Sequence, residues 1–392
     1  VLKEALAQVF FWDYLGALAG SILFPLFLLP KLGFLRTGFL AGILNLLAVL
    51  MLLGAARGLN LDGTLSLRSK IILTLGLLAL SAGFIFSPNI ERFFTQNIFA
   101  AQEILISKSS PYQNIILTLD EQGERTLFLN GERQFESGLQ EKRYHETFAH
   151  PMMSFLGESA KRILILGGGD GLLLREIWKY PEVQEVTMVD IDPTITDLAK
   201  NHPLFREINK DSMRDARLTL INTDAFSWLL RRTAQEKKFD AIFIDFPDPL
   251  DDILGRLYSQ EFYLLVKRNL TPNGIAVIQA GDLPSPMHDI TKKTLISSGF
   301  RTLSFHPAGS DFSSAPGVFE AAFIAVSPNR DVIDSFYKSL KSGSIQIPEG
   351  FITSNSKNLS RILDPYLNEE AYQVSSNSIF HPVRFTQRFG LV

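Results

Sequence analysis

The sequence predicts an α/β protein built around a doubly wound, mostly parallel sheet that follows an N-terminal region of apolar helices. Three observations support this architecture. Short aliphatic runs alternate with helical patterns from residue 162 onward, ILILGGGDG joins a strand to a glycine turn, and the first hundred residues hold three uncharged stretches. Alternating apolar strands and helices are typical of a parallel sheet covered on both faces. Long uncharged stretches are typical of membrane helices.

Composition narrows the classes of function. The chain has 392 residues, is 46% hydrophobic and 20% charged, carries a net charge of -3 and contains no cysteine. A chain of this length and apolarity is expected to contain two unlike parts. The absence of a basic stripe argues against a nucleic-acid partner. Because there is no cysteine and the histidines lack metal-ligand spacing, we expect no metal site and no bound cofactor.

The N-terminal region is predicted to cross a membrane. Residues 37–56 are an uncharged stretch of the ~20 residues that a spanning helix needs. Residues 71–87 and 14–30 lie near the ~17-residue lower limit, and Pro25 predicts that the first helix is kinked or re-entrant. We therefore expect residues 1–92 to form about three transmembrane spans in contact with the lipid bilayer. Buried helices of a soluble core are the alternative interpretation.

Two features of this region bear on its role. The chain starts at Val1 and is already apolar by Ala5, so we expect a longer membrane domain upstream. Asp13 lies at or near the predicted membrane boundary, where a carboxylate is either functional or interfacial. The flanking Lys and Arg residues slightly favour an extracellular C-terminal domain. Because upstream helices would outweigh this bias, we expect a multi-pass cell-membrane protein whose catalytic domain is cytoplasmic.

The chain from residue 101 onward is divided into three predicted segments. Residues 101–138 form a small β-hairpin unit, in which QNIILTLD and RTLFLNGERQFES are strands and NGE is the hairpin turn. Residues 139–330 begin with the helix YHETFAHPMMSFL and continue as a βα series. This series predicts a Rossmann-like, methyltransferase-type domain. Residues 331–392 form a C-terminal extension whose elements the sequence does not place.

Carboxylates follow four successive predicted strands. They are Asp170 after the first strand, Asp190 and Asp192 after the second, Asp224 after the third, and Asp245 with Asp248 after the fourth. A ligand of such a sheet binds beyond the carboxyl ends of the strands. Helix capping explains one such Asp, but four in succession are hard to explain as caps. A negative cluster disfavours phosphate and favours a nucleoside with a cationic group, whose ribose Asp190 would bind.

Eight segments, in order and spacing, resemble the polyamine aminopropyltransferases, or spermidine synthases, and in particular their integral-membrane bacterial branch. They are SPYQNIIL, TLFLNGERQFES, EKRYHETFAHP, ILILGGGDGLLLREIWKYPEV, VDIDP, NTDAF, FDAIFIDFPDP and LYSQEFYLL. The resemblance implies a membrane-bound enzyme that moves the aminopropyl group of the co-substrate decarboxylated S-adenosylmethionine to a polyamine acceptor. Putrescine is the expected acceptor, spermidine and methylthioadenosine are the products, and a homodimer is the expected assembly.

The resemblance also implies roles for individual residues. The nucleoside part would be held by Gln113, Gly167, Gly169, Asp170, Asp190, Asp224 and Ala225. Asp170 would in addition face the aminopropyl amine, while Tyr144, His145 and Asp248 would line the acceptor site. Asp245 would be the catalytic residue.

Departures from the family pattern leave the acceptor open. Gln140 stands where relatives often have Asp, Phe246 and Pro247 separate Asp245 from Asp248, and no tyrosine-bearing loop is recognisable after Phe305. Two other functions remain as alternatives. One is a methyltransferase that uses S-adenosylmethionine; the other is a membrane transporter or sensor whose non-catalytic domain binds polyamines or methylthioadenosine.

Overall fold

The computed structural model describes residues 2–58, 66–99, 102–249, 252–282, 285–307, 321–345, 363–366, 376–379 and 383. Contacts divide the chain into two units, Val1–Gln134 and Phe135–Val392. The division falls within the last strand of the hairpin region. The boundaries at residues 92, 101, 138 and 330 therefore remain predictions from the sequence.

Apolar helices form the start of the first unit. They are α1 (Leu2–Leu23), α2 (Leu29–Gly58) and α3 (Leu67–Ile98), with a π-helical turn at Phe24–Leu28 between the first two. Pro25 lies in this turn, where the sequence predicts a kink. The helical stretches Lys3–Leu28, Lys31–Ala56 and Leu67–Glu91 are long and apolar enough to cross a membrane.

The first helix differs from the sequence prediction at its start. It begins at Leu2 rather than near Tyr14, because residues 2–13 continue the helical conformation of the apolar stretch that follows. Asp13 therefore lies in the middle of α1, with an exposed side chain, and its position relative to a membrane boundary stays a prediction. Helices α2 and α3 pack side by side, with the ring of Phe39 against Gly83.

A small antiparallel sheet follows the helices. Its strands are β1 (Glu103–Ser109), β2 (Asn114–Leu119), β3 (Arg125–Leu129) and β4 (Glu132–Glu136), paired in chain order. Asn130 and Gly131 are the two residues between β3 and β4, as the predicted hairpin turn requires. Strand β2 is the most buried of the four, with Ile115 and Leu117 fully enclosed.

The second unit contains one large sheet. Its strands are β5 (Arg162–Gly167), β6 (Glu185–Asp190), β7 (Leu218–Asn222), β8 (Phe239–Asp245), β9 (Leu270–Asp282), β10 (Arg301–Pro307), β11 (Ala321–Ser327) and β12 (Leu363–Tyr366). Their spatial order is β12-β10-β11-β9-β8-β5-β6-β7. Strands β5 to β9 run parallel, whereas β10, β11 and β12 pair antiparallel. The sequence pattern predicted the five parallel strands but not the three antiparallel ones.

Helices connect these strands and cover both faces of the sheet. They are α4 (Leu139–Leu156), α5 (Leu172–Ile177), α6 (Pro193–Asn201), α7 (Pro203–Asn209), α8 (Ala225–Arg231), α9 (Asp252–Gly255), α10 (Gln260–Asn269), α11 (Pro286–Ser297) and α12 (Arg330–Ser342). Alternate residues of a strand point to opposite faces. On β8, Ile242 and Ile244 join the cluster that includes α8, α10 and α11, while Phe243 contacts Phe148 of α4. These layers confirm the predicted fold class.

The strand order fixes where a ligand can bind. The chain passes from β5 to β6 and β7 on one side, and then returns to β8 and β9 on the other side of β5. The switch point therefore lies between β5 and β8, which is where open α/β sheets bind their ligands. Gly167 and Asp245 are register partners at the carboxyl ends of these two strands.

Candidate active site

The glycine turn after β5 brings three strand ends close together. At Gly167, where φ is +85°, an added Cβ would lie 2.1 Å from the backbone oxygen of Asp245. At Gly169 an added Cβ would lie 2.5 Å from Oδ2 of Asp190. Only glycine lets the backbone approach both carboxylate-bearing strands this closely. The turn thus positions the ends of β5, β6 and β8 around one site.

Asp190 is anchored by the backbone at the end of β6. Its Oδ2 accepts a hydrogen bond from the Gly169 N–H (3.0 Å), and its Oδ1 accepts one from the Asp192 N–H (2.8 Å). Burial is the main cause that raises the pKa of Asp190 to about 6. The negative charges of Asp192 and Asp170 also raise it, whereas the two backbone hydrogen bonds lower it. Asp192 is fully buried and caps α6 through the Thr194 N–H. Of this pair, Asp190 is the less buried, and its contact with a ribose stays a prediction.

Asp170 is held where the turn enters α5. Its Oδ1 accepts a hydrogen bond from the Leu172 N–H at 2.9 Å, and its carbonyl oxygen accepts one from the Asn209 amide at 3.0 Å. Burial raises the pKa of this carboxyl, while the positive charge of His145 lowers it. A carboxylate in this position stabilises a cation and repels an anion.

Asp245 ends β8 and is paired with an aromatic side chain of α4. The Tyr144 hydroxyl donates to Asp245 Oδ1 at 2.9 Å. The pKa of Asp245 is raised to about 6, mainly by burial and also by the negative charge of Asp170. The positive charge of His145 and the hydrogen bond from Tyr144 act in the opposite direction. The Tyr144 ring is itself fixed against Phe148 and Phe323, at centroid distances of 5.9 and 5.3 Å. Asp245 is therefore a half-buried carboxylate whose orientation is fixed by packing.

Asp248 lies beyond the end of β8 in an exposed position. Its Oδ1 accepts a hydrogen bond from the Gln279 amide of β9 at 3.2 Å. The backbone between the two acids is held by Tyr258, whose hydroxyl lies 3.2 Å from the carbonyl oxygens of Phe246 and Pro247. Sequence reasoning gave no role to Gln279 or Tyr258, although Tyr258 lies in the segment LYSQEFYLL.

Asp224 has two partners. It caps α8, because its Oδ1 accepts a hydrogen bond from the Ser227 N–H at 2.8 Å. Its Oδ2 forms a salt bridge of 2.5 Å with Arg256, which sequence reasoning also missed. Ala225 follows as the first, buried residue of α8. Of the segments that resemble the family, LYSQEFYLL lies next to Arg256 in the sequence, but it begins at Leu257 and does not include Arg256.

His145 carries a positive charge in this acidic site. Its Nδ1–H donates to the Glu141 carboxylate at 2.8 Å, one helical turn earlier on α4. Burial alone would lower the pKa of His145, but Glu141, Asp170 and Asp245 together raise it to about 9. His145 is therefore an imidazolium at neutral pH. The spacing of Glu141 and His145 on one helix face was a signal that sequence reasoning did not use.

A network of buried, hydrogen-bonded side chains holds Glu141, the partner of His145, in place. Arg175 of α5 binds both oxygens of Glu141, at 2.7 and 3.2 Å, and donates to Glu176 at 2.7 Å. Glu176 in turn lies 3.0 Å from His150, and both are almost completely buried. Burial would raise the pKa of Glu141, but the hydrogen bonds from His145 and Arg175 lower it overall. Glu141 is thus a fixed carboxylate that holds His145 in place.

The structure therefore brings most of the predicted residues together. Electrostatic interactions link Asp170, Asp190, Asp245, Tyr144 and His145 within one unit. Gln113 belongs to the other unit, where its N–H donates to Ser110 Oγ at 3.0 Å before β2. Its contact with a nucleoside remains a prediction. The side chain of Gln140 lies outside the described residues.

The arrangement of charges favours the binding of a cationic ligand. Among the described residues, no three His, Asp or Glu side chains form a group that could hold a metal ion. A carboxylate ends each of β6 and β8, and another follows each of β5 and β7. The positive charge of His145 lowers the pKa of both Asp170 and Asp245. Such a site can bind an amine and accept its proton.

Comparisons with known proteins identify this region. Residues 141–303 match the spermine/spermidine synthase domain. A polyamine aminopropyltransferase of Leptospira interrogans is 40% identical over 309 residues, which cover 78% of this chain and 59% of the relative. Polyamine aminopropyltransferase 2 of Ralstonia nicotianae is 38% identical over 332 residues, 84% of this chain and 62% of the relative. The chain thus spans about three fifths of the length of these curated relatives.

The fold is similar to that of a solved enzyme. Spermidine synthase from Thermotoga maritima superposes with a TM-score of 0.50 at 20% sequence identity, over 63% of this chain and 80% of the other. At this identity the likeness establishes the fold only. It supports the fold class described above, a mixed sheet with helices and a small antiparallel sheet.

Proposed function

Because residues 141–303 of this chain belong to the spermine/spermidine synthase family, we propose that the chain is an aminopropyltransferase. It transfers the aminopropyl group of decarboxylated S-adenosylmethionine to a polyamine acceptor and releases methylthioadenosine. The observation that carries the proposal is the pairing of strand ends at the switch point, where Asp170 and Asp245 lie within electrostatic reach of each other. One carboxylate is then available for the amine of the donor and one for the amine of the acceptor.

The reaction is a displacement at the carbon next to the sulfonium. The lone pair of the acceptor amine forms the new C–N bond, the C–S bond breaks, and its electrons return to sulfur as a neutral thioether. The acceptor amine is mostly protonated at neutral pH, so one proton must leave it before the attack, and the new secondary amine then carries the positive charge. Because no charged leaving group needs stabilisation, the protein contributes mainly alignment and proton transfer.

Asp245 is the proposed base. An alkyl amine has a pKa near ~10, so at neutral pH it is mostly protonated and lacks a free lone pair. A carboxylate with a pKa of about 6 is still ionised at neutral pH and accepts a proton more readily than an ordinary Asp. The Tyr144 hydroxyl fixes the Asp245 oxygen that it contacts. Asp248, exposed nearby, would bind the ammonium of the acceptor or orient its chain.

Asp170 is the proposed ligand of the donor amine. Glycine turns that lead into a helix expose backbone N–H groups and usually favour anions. Here the half-buried Asp170 carboxylate reverses this preference and favours the aminopropyl ammonium of the decarboxylated donor. The carboxylate of ordinary S-adenosylmethionine would meet a like charge. This feature supports aminopropyl transfer over the methyltransferase alternative.

His145 is proposed to line the acceptor site without binding an ammonium directly. An imidazolium repels a second cation, so its value lies in keeping Asp170 and Asp245 ionised together. Two carboxylates that share a small buried site otherwise raise the pKa of one another. Through Glu141, His145 provides the fixed positive charge that lets both acids act as anions.

The finer parts of the proposal depend on the family resemblance and on the first unit. Putrescine is the proposed acceptor, with spermidine as the product, and a homodimer is the proposed assembly. The three apolar helices support a multi-pass position in the cell membrane, with the catalytic domain proposed to face the cytoplasm. Gln113, Asp190 and Asp224 with Ala225 are proposed to hold the nucleoside.

Product analysis tests the proposal directly. The purified full-length chain is incubated with decarboxylated S-adenosylmethionine and, in separate reactions, with a panel of di- and triamines. Mass spectrometry is expected to show methylthioadenosine together with an amine that is heavier by one aminopropyl group. Parallel reactions contain S-adenosylmethionine instead. Methylated products in those reactions, or no transfer from the decarboxylated donor to any amine, would overturn the proposal.

A further inference from the structure

A short segment near the C terminus is built into the second unit. Asn377 is 2% exposed, and its side chain and backbone are fully hydrogen-bonded. Its Nδ2 donates to the carbonyl oxygens of Gly255 (2.8 Å) and Tyr258 (3.2 Å), and its Oδ1 accepts from the Val383 N–H (3.0 Å). Its N–H donates to Thr294 Oγ1 (2.9 Å), and its carbonyl oxygen accepts from the Gln260 N–H (3.0 Å).

Neighbouring residues extend this attachment to the start of α10. Ser378 Oγ donates to one oxygen of Glu261 at 2.6 Å, and the Ile379 N–H donates to the other at 3.0 Å. Ser376 Oγ accepts a hydrogen bond from the Gln260 amide at 2.8 Å. The segment 376–379 is therefore bonded to α10 and to the turn that precedes it.

The bonded turn carries two side chains of the candidate active site. It runs from Gly255 through the single 3₁₀ turn Arg256–Tyr258. The Arg256 guanidinium forms the salt bridge with Asp224 at 2.5 Å. The Tyr258 hydroxyl contacts the two carbonyl oxygens between Asp245 and Asp248. One turn thus reaches both the proposed nucleoside side and the proposed acceptor side.

The turn is closed by Ser259, whose N–H and hydroxyl both donate to the Arg256 carbonyl oxygen, at 3.3 and 2.7 Å. Because the hydrogen-bond geometry of a single 3₁₀ turn is poor, contacts from outside the turn also contribute to its position. Asn377 binds the carbonyl oxygens at both of its ends, Gly255 and Tyr258, with a buried amide. Removing this donor leaves the buried Tyr258 carbonyl and the half-buried Gly255 carbonyl without that partner, which is costly. The position of Arg256 and Tyr258 therefore depends in part on a residue that is more than a hundred positions away in sequence.

We propose that Asn377 is a positioning residue of the active site: it fixes the Gly255–Tyr258 turn, and through Arg256 and Tyr258 it sets Asp224 and the loop that follows Asp245. The kinetic part of this inference rests on the proposed function, because the site that is positioned is the aminopropyltransferase site. The structural part, the bonding of the turn by Asn377, is independent of any activity.

The first test measures the turn itself in the full-length protein. Asn377→Ala is compared with Asn269→Ala, a matched control that removes another buried asparagine (4% exposed) at the opposite end of α10. Asn269 donates to Leu265 O and accepts from Arg232, away from the carboxyl ends of the strands. Hydrogen–deuterium exchange is expected to increase about 10-fold or more in peptides that cover residues 255–260 in Asn377→Ala only.

The second test uses the kinetic constants. Asn377→Ala is expected to raise KM for decarboxylated S-adenosylmethionine and to lower kcat, each by about 10-fold, because small displacements of reacting groups are costly. Asn269→Ala is expected to lower the melting temperature without changing either constant. Tyr258→Phe tests whether Asn377 acts through Tyr258. If it does, Asn377→Ala lowers kcat much less in the Tyr258→Phe background than in the wild-type protein.

The outcomes separate the two proposals. Unchanged exchange at residues 255–260 in Asn377→Ala overturns the inference, and so do unchanged kcat and KM in a folded variant. Equal kinetic losses in Asn269→Ala also overturn it, since the effect would then be one of general stability. If the wild-type chain shows no transfer, the proposed function fails, and the exchange experiment alone decides whether Asn377 fixes the turn.

Discussion

At the scale of single residues, the site depends on one cation placed among acids. His145 has a pKa of about 9 instead of the ordinary 6.5, because its pairing with Glu141 outweighs burial. Since the folded-state value is the higher one, this pair stabilises the fold fully below pH 6.5, and the contribution is lost as the pH rises through about 9. At neutral pH the imidazolium is present, and Asp170 and Asp245 can both be anions.

Replacing the proposed base tests its role. Asp245→Asn keeps the shape of the side chain and the contact with Tyr144 but cannot accept a proton. We expect kcat to fall by about 100- to 10,000-fold while the dissociation constant of methylthioadenosine stays near the wild-type value. Steady-state kinetics and calorimetry measure the two quantities. Asp197→Asn, on the exposed side of α6, is the control. Near-normal turnover in Asp245→Asn would place the base elsewhere.

The pH profile tests the electrostatic role of His145. Because Asp245 must be ionised, kcat/KM for the acceptor is expected to rise with pH through about 6. His145→Gln removes a charge that lowers the pKa of Asp245, so this rise should move to higher pH by about one unit. Tyr144→Phe should move it in the same direction, because it removes a hydrogen bond to the carboxylate. A rise that stays in place, or moves to lower pH, contradicts the assignment.

At the scale of elements, the turn between β5 and α5 determines which donor can bind. Asp170→Asn removes the negative charge from this turn while the Asn side chain can still accept from the Leu172 N–H. We expect the affinity for decarboxylated S-adenosylmethionine to fall about 10- to 100-fold, since a charged hydrogen bond is lost. Methylthioadenosine, which lacks the amine, should bind as before. Equal losses for both ligands would show that Asp170 supports the turn only.

The contact between α4 and α5 includes a group of buried charges. Arg175 is 11% exposed and binds Glu141 and Glu176, which are 2% and 1% exposed. Arg175→Met is expected to lower the free energy of unfolding by about 3 to 5 kcal/mol, because two buried carboxylates lose a partner. Denaturant titration measures this change. Adding Glu141→Gln should restore part of the loss, whereas a further decrease would contradict the explanation.

At the scale of the whole molecule, the apolar helices of the first unit lead us to expect that the protein is attached to a membrane. If the helical stretches Lys3–Leu28, Lys31–Ala56 and Leu67–Glu91 cross the bilayer, high salt and alkaline carbonate should leave the full-length protein in the membrane pellet. Detergent should release it. Leu47→Arg, near the middle of the second stretch, should reduce insertion, since an arginine at the centre of a span costs about 2.5 to 3.5 kcal/mol. Release by carbonate would show that these helices do not span.

Much of the catalytic half could be predicted from local patterns. Five parallel strands, the Asn130–Gly131 hairpin and the strand-end acids Asp190 and Asp245 are encoded in short runs with a clear period. The antiparallel strands β10, β11 and β12 could not be predicted in the same way. Their place in the sheet depends on pairing with β9 and with one another, between residues that lie far apart in the chain.

The sequence by itself determined the fold class, the order of the βα units and the carboxylates after four strands, because each is set by residues close together along the chain. Only the tertiary structure decided which charges face one another. The pairing of Arg256 with Asp224, the binding of Glu141 by Arg175 and the attachment of Asn377 to the turn at Gly255 all join distant segments. Burial then sets the pKa of the acids, and burial exists only once these segments have packed.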